Sequence, residues 1–241
     1  MSIYGIIMGA VSVFLAGLLL HPPEPPPASP GQVLVEDFEA YQPGGLPVKW
    51  KYLDEKKEVV FVEAQHMRPD ERFFIVEEAG NKFVRAYARG ESVRIIMPMH
   101  ESFGWNLETH PRLRWDWRAN QLPEGADETR SKLNDTGAAV YVVFAMSRLF
   151  GPKTIKYTYS STVPVGTVKS YNFGRMKVIV VASAADGFGD WMTIERDVQA
   201  DYRAVFRGEP PPHPLTVMLW SDSDNTGHTA EVDFDNIVLT D

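Results

Sequence analysis

From residue 32 to the C-terminus, apolar and polar positions alternate in short bursts separated by turn residues. This period of two is the signature of strands with one buried face. It predicts strands over 33–38, 59–63, 73–77, 82–88, 92–97, 112–118, 138–145, 154–160, 177–182, 191–194, 215–220 and 231–239. β-branched and aromatic residues dominate these bursts. Their spacing predicts an all-β, jelly-roll-like antiparallel sandwich rather than alternating strands and helices. Glu78-Ala79-Gly80-Asn81 reads as a hairpin turn between two of them. In 112–118, Leu113, Trp115 and Trp117 fall on one face, and Arg112, Arg114, Asp116 and Arg118 on the other. The first set belongs in the core, and Asp116 is expected to form a surface ion pair among its arginines. The stretches 140–144 and 178–181 are apolar on both faces, so they should be central strands covered on both sides. One short helix is predicted over 196–206, where Val198, Tyr202, Val205 and Phe206 recur at helical spacing before three prolines at 210–212. No internal repeat is evident, so residues 32–241 read as one sandwich domain.

The first thirty residues follow another pattern. Ile3 to Leu20 is an uncharged run of 18 residues. As a helix it would span about 27 Å, close to the hydrocarbon thickness of a bilayer. Only Met1 and Ser2 precede it, without the basic start of a secretory signal. A cut after Ala28 would put Pro26 at the −3 position. Residues 1–20 are therefore expected to be an uncleaved transmembrane anchor rather than a signal sequence. Leu18 stands where a lipoprotein signal needs its cysteine, which excludes lipidation. Gly5, Gly9, Ser12 and Ala16 share one face of that helix, and close packing against another membrane helix is the use such a face suggests. Residues 21–31 hold six prolines and predict a stiff polyproline spacer about 30 Å long. The expectation is a sandwich held outside the cytoplasm, in the periplasm or beyond, tethered to the bilayer through residues 3–20.

Composition narrows the chemistry. The net charge is −8. Such a field repels phosphate backbones and anionic lipid, so neither nucleic acid nor electrostatic membrane adhesion is expected. There are no cysteines, which excludes disulfides, thiolate metal sites and thiol nucleophiles. The six histidines show no metal-ligand spacing, and no nucleophile elbow or phosphate loop occurs. Asp116 beside two tryptophans would be a hydrolase acid only in a cleft, and its arginine neighbours would lower its pKa. No catalytic residue and no enzyme activity are expected.

No cofactor is expected either, with calcium the one ion for which acidic clusters exist. Asp222, Asp224 and Asp233 stand at the first, third and twelfth places of a calcium-loop spacing, with Gly227 at the turn. Glu36, Asp37 and Asp235 form a second candidate set at the chain ends. Tyr157 and Tyr159 share a strand face and are the candidate platform for stacking a sugar ring, with Trp50, Tyr52, Trp105 and Trp220 near strand ends or loops.

Two resemblances add to this. Arg114–Trp117 (RWDW), Asn134–Phe144, Lys177–Ser183, the stretch from Trp191 to Arg203 and Ser221–Gly227 (SDSDNTG) together resemble a bacterial family of secreted proteins known only as an uncharacterised domain. That resemblance covers roughly residues 33 to 240 and implies export and a β-sandwich. It also implies an Arg two residues before Tyr141, where this chain has Ala139. The start, Glu36-Asp37-Phe38-Glu39 with Trp50, and the end, Asp233 to Ile237, are similar to the ends of carbohydrate-binding jelly rolls. That likeness implies pairing of the first and last strands and a structural calcium. The expected function is a membrane-anchored accessory protein, docking through anchor and sandwich surface on a larger membrane protein complex, respiratory or photosynthetic. The alternative is a carbohydrate-binding protein of the cell envelope.

Overall fold

A computed structural model describes residues 31–53 and 58–241. The expected anchor, with Gly5, Gly9, Ser12 and Ala16, and residues 21–30 of the spacer lie outside the described residues. No helix among the described residues is long and apolar enough to cross a membrane.

Fourteen strands are described: β1 Gln32–Glu36, β2 Lys51–Leu53, β3 Val59–Phe61, β4 Glu71–Glu78, β5 Asn81–Arg89, β6 Ser92–Pro98 and β7 Arg112–Gln121. Then follow β8 Thr136–Ser147, β9 Gly151–Ser160, β10 Val168–Tyr171, β11 Met176–Ser183, β12 Met192–Asp197, β13 Thr216–Asp222 and β14 Thr229–Thr240. They form two sheets. One runs β12-β7-β14-β5-β4, with β1 also paired to β14; the other runs β10-β11-β9-β8-β13-β6-β2-β3. The inner faces meet in one apolar layer, where Trp115 packs on Tyr157 and Trp117 on Tyr159, each pair at 5.6 Å. Such aromatic pairs keep the two sheets in register along their length.

The alternation in β7 sends Leu113, Trp115 and Trp117 into this core, as their spacing predicts. β8 is buried on both faces over most of its length and sits in the middle of its sheet. The turn at Ala79-Gly80 closes the β4–β5 hairpin with both residues at positive φ, the backbone of a two-residue loop that matches strand twist.

Three expectations need correction. The sandwich is not wholly antiparallel, because β9 and β11 run parallel. β10 and β11 form a hairpin whose second strand meets β9, and that order forces the parallel pair. A second α-helix exists: α1, Met99–Phe103, is too short to leave a periodic signal, while α2 spans Val198–Phe206. α2 starts two residues later than its apolar spacing suggests. Asp197 caps it by accepting from the Ala200 amide at 2.7 Å, and Arg207 ends it in the left-handed conformation.

One end of the sandwich matters below. Gln32 pairs with Thr240, and Thr240 with Arg112, so both chain ends of the domain lie where β7 begins. The core pairs Trp115–Tyr157 and Trp117–Tyr159 show that β9 runs in the same sense as β7. The β8–β9 turn therefore lies at that same end.

Candidate functional site

Residues pointing away from the core decide what each sheet can do. On the eight-stranded sheet, Arg94 of β6 faces Trp220 of β13, and Tyr141 of β8 faces Lys156 of β9. Tyr141 and Trp220 are diagonal neighbours across β8 and β13, and their rings stack at 5.0 Å with 25° between planes. The Arg94 guanidinium lies 4.4 Å over the indole, and the Lys156 ammonium 5.5 Å from the Tyr141 ring. Four adjacent strands thus supply one continuous row, cation–aromatic–aromatic–cation. Trp220 donates its Nε1–H to Ser92 Oγ at 2.7 Å, which fixes the indole orientation. Arg94, Trp220 and Asp222 are half-buried, whereas Tyr141 and Lys156 are buried.

The polar end of the row is built by the loop 122–135. It folds back over the outer face so closely that a Cβ at Gly137 would come within 2.6 Å of the Leu122 side chain. Buried Glu128 accepts from Ser160 Oγ at 2.5 Å, and its carbonyl accepts from Tyr171 Oη. Asp135, also buried, accepts from the amides of Asn225 and Thr226 at 3.0 and 2.7 Å. This ties the loop to the β13–β14 turn. Oxygens of Asp135, Asp222 and Asp224 lie within 4.8 Å of one another, and among the described residues this is the trio that could hold a cation.

The electrostatics follow from burial. Burial pushes the Asp222 carboxyl up to about 7, and Asp224 and Asp135 add to the rise while Lys156 opposes it. Glu128 is raised for the same reason, burial first. Burial disfavours the Lys156 ammonium, yet Tyr141, Asp222 and Glu128 together outweigh it and raise its pKa. Lys156 is therefore a buried cation that makes no direct ion pair among the described residues. Its charge is held by several neighbours, a hydrogen bond to Tyr141 among them, rather than by one ion-pair partner.

The six-stranded sheet presents a different outer face. Buried Asp233 accepts from Arg85 Nε at 2.6 Å, Arg118 Nη2 at 2.7 Å and Asn120 Nδ2 at 2.8 Å. Glu78 and Glu231 complete the pairing of the two arginines. Around Asp233 the charges are paired with one another.

Several expected site residues fall elsewhere than predicted. Asp233 does not join Asp222 and Asp224, because β14 carries it to the opposite sheet beneath Arg85 and Arg118; Asp135 takes its place. Glu36, Asp37 and Asp235 do not converge. Glu36 accepts from Phe38 N, Tyr41 Oη and Trp50 Nε1, and Asp37 from Glu39 N. Asp235 accepts from Asn81 Nδ2 at 2.9 Å, and burial pushes it up to about 7.

Tyr157 and Tyr159 are fully buried and cannot stack a ligand. They occupy the core face of β9, with their hydroxyls donating to Asp201 and to the Gly187 carbonyl. Trp50 and Trp105 are also buried, so of the four aromatics named beside them only Tyr52 and Trp220 keep partial exposure. Asp116 is bonded to Thr193 and Asn236 rather than ion-paired with an arginine. His100 and His213, far apart in sequence, lie with ring centres 5.4 Å apart and tilted planes. Glu128, Asp135, Arg94 and Lys156 went unread, although polar Thr154, Lys156, Thr158 and Ser160 alternate with the core residues of β9.

Solved structures of similar fold include the family 11 carbohydrate-binding module of the cellulosomal cellulase Lic26A-Cel5E of Clostridium thermocellum. It is 11% identical, at a TM-score of 0.39, over 88% of this chain and 96% of that one. The family 30 carbohydrate-binding module of the cellulosomal cellulase Cel9D-Cel44B of Clostridium thermocellum is 14% identical, at 0.42, over 87% and 96%. The xyloglucanase domain of NopAA, a type three effector from Sinorhizobium fredii in complex with cellobiose, is 10% identical, at 0.38, over 89% and 96%. No curated protein matches the chain. A family model described as a protein of unknown function, DUF3047, matches residues 57–238, most of the chain, and the chain belongs to that family.

Proposed function

We propose that this protein is a non-enzymatic binding module of the cell envelope, tethered by residues 3–20, that takes a carbohydrate on the outer face of its eight-stranded sheet. The observation that carries the reading is the row Arg94, Trp220, Tyr141 and Lys156, ending at Asp222 and Glu128. A sugar offers apolar C–H faces and a ring of hydroxyls. Aromatic surface flanked by fixed donors and acceptors matches both. Half-buried Arg94 supplies donors to hydroxyl oxygens and half-buried Asp222 accepts or donates according to its proton, while buried Lys156, hydrogen-bonded to Tyr141, supports the row from beneath. A glycan array with the wild type, Trp220→Ala and Arg94→Met tests this. Binding by the wild type that falls at least tenfold in both variants supports it, and a blank array rejects it.

One observation favours a second reading, hydrolysis of the bound glycan. Asp222, pushed up to about 7, holds a proton near neutrality as a general acid must. Reducing ends released by the wild type but not by Asp222→Asn would replace the binding role with an enzymatic one.

A further inference from the structure

The net charge of −8 conceals a strong local asymmetry. No Asp or Glu occurs between Asp135 and Asp186, while Arg148, Lys153, Lys156, Lys169, Arg175 and Lys177 do. Part of this segment forms the end of the sandwich where Gln32 enters the domain. There the turn between β8 and β9 exposes large apolar side chains: Met146 at 68%, Leu149 at 86% and Phe150 at 64%. Phe173, in the turn after β10, is fully exposed at 104%. Arg175 Nη2 donates to the Gly151 carbonyl at 3.0 Å, which ties the two turns into one tip.

We infer that this tip docks on an anionic lipid surface, with Leu149, Phe150 and Phe173 entering the headgroup region and the surrounding cations meeting lipid phosphates. Exposed apolar side chains ringed by basic ones are what such a surface selects, because burial and charge attraction act at the same place. The cations are held in position. Lys153 lies 4.6 Å over the Tyr202 ring and Lys177 5.6 Å over Phe206, while Arg148 and Arg207 are exposed.

The route of the chain points to lipid as the occupant, an inference that rests on the tether proposed above. The 18-residue uncharged run of residues 3–20 lies just upstream, joined to Gly31 by the proline-rich spacer. That spacer is about 30 Å at full polyproline extension, against about 40 Å for a twelve-residue strand. A link no longer than this keeps the Gln32 end, which bears the tip, the part of the domain nearest the bilayer, and the tip reaches the lipid when the link lies along the surface rather than upright. Acidic groups also lie at this end, but Asp201 and Glu209 beside α2 are held in ion pairs by Arg196 and Arg203, so Arg148, Lys153, Arg175 and Lys177, which make no ion pair among the described residues, set the charge beside the exposed apolar side chains.

The absence of cysteine allows a clean test on the full chain. Single cysteines are introduced by Leu149→Cys at the tip and by His228→Cys at the opposite end, both exposed positions. Each is labelled with an environment-sensitive fluorophore and reconstituted in vesicles of neutral lipid, or of neutral lipid with 30% phosphatidylserine. The label at 149 should shift to the blue and lose access to aqueous iodide only in the anionic vesicles, and the label at 228 in neither. Arg148→Gln should lower the inserted-to-free ratio of the tip roughly fivefold. Equal iodide access at both positions in both vesicles would overturn the proposal. So would equal protection in neutral vesicles, or protection at 149 that appears only when native membrane proteins are present, which would assign the tip to a protein partner.

Discussion

The two outer faces of this sandwich solve the same problem in opposite ways. Each carries charged side chains on a sheet whose other side is packed into the core. On the six-stranded sheet, Asp233 is enclosed by Arg85, Arg118 and Asn120, and those arginines are paired again by Glu78 and Glu231. On the eight-stranded sheet, Lys156 and Arg94 rest on aromatic rings, and carboxylates near them are driven toward their protonated forms. Around Asp233 the first face is closed by direct ion pairs, with the raised carboxyl of Asp235 beside them. The second holds its cations on aromatic rings with no direct ion pair among the described residues, which leaves half-buried Arg94 and Trp220 open to contacts from outside the fold.

Removing the charge at the centre of each face breaks this comparison most sharply. Asp233→Ala removes the buried anion between two half-buried guanidinium groups and leaves them only the more exposed Glu78 and Glu231, and a loss of about 3–5 kcal/mol is expected in urea unfolding. A loss below about 1 kcal/mol would mean that the six-stranded face is not held by its ion pairs. Buried carboxylates give the next effect. Asp222 and Asp235 are both pushed up to about 7, well above the value of an unfolded chain. A raised carboxyl binds its proton more tightly when folded. Each group therefore costs nothing below about pH 4, erodes stability as pH climbs toward 7, and exerts its full penalty above that. Asp235→Asn should flatten this decline, leaving the variant on the order of 2–4 kcal/mol more stable relative to wild type at pH 8 than at pH 4. Equal pH profiles for variant and wild type would contradict the shift.

Lys156→Met supplies the mirror image of the Asp233 experiment. A buried cation without a direct ion pair is exchanged for an apolar chain of similar reach, and Asp222 and Glu128 can take up protons in its absence, so the loss should stay within about 1 kcal/mol. A fall as large as that of Asp233→Ala would make Lys156 a structural residue and erase the contrast between the faces. The smallest effect belongs to α2, at the end of the sandwich where Gln32 enters. Asp197→Ala removes its cap and should cost about 1 kcal/mol in thermal or urea unfolding without changing binding on either face.

Much of this arrangement was legible in the order of residues. Alternation in β7 separated Trp115 and Trp117 from Arg114 and Arg118, because only one set can leave water at low cost. Strands β8 and β11 showed themselves as central by having no polar face. Strands β2 and β10 escaped because three or four residues are too few for a period to show. For β9 the period was visible but the direction was misread. Tyr157 and Tyr159 share a face with Ile155, which marks the core side, while Thr154, Lys156 and Thr158 mark the outer one. The site itself was the least legible part. Its acidic end depends on a loop that brings Glu128 to Ser160 and Asp135 to Asn225, contacts between distant segments that no local pattern encodes. The calcium-loop spacing found Asp222 and Asp224 but carried Asp233 with them, because residue count alone does not register that β14 crosses to the other sheet.

Two tryptophans provide the most direct test of the central claim. Trp220 lies in the outer row of the eight-stranded sheet, and Trp191, 38% exposed, packs against Phe83 and Arg118 on the six-stranded one. Binding isotherms on the same glycan panel are compared for the wild type, Trp220→Ala and Trp191→Ala. The account predicts that Trp220→Ala loses binding at least tenfold while Trp191→Ala keeps it. Retained binding in Trp220→Ala, or loss confined to Trp191→Ala, would contradict it.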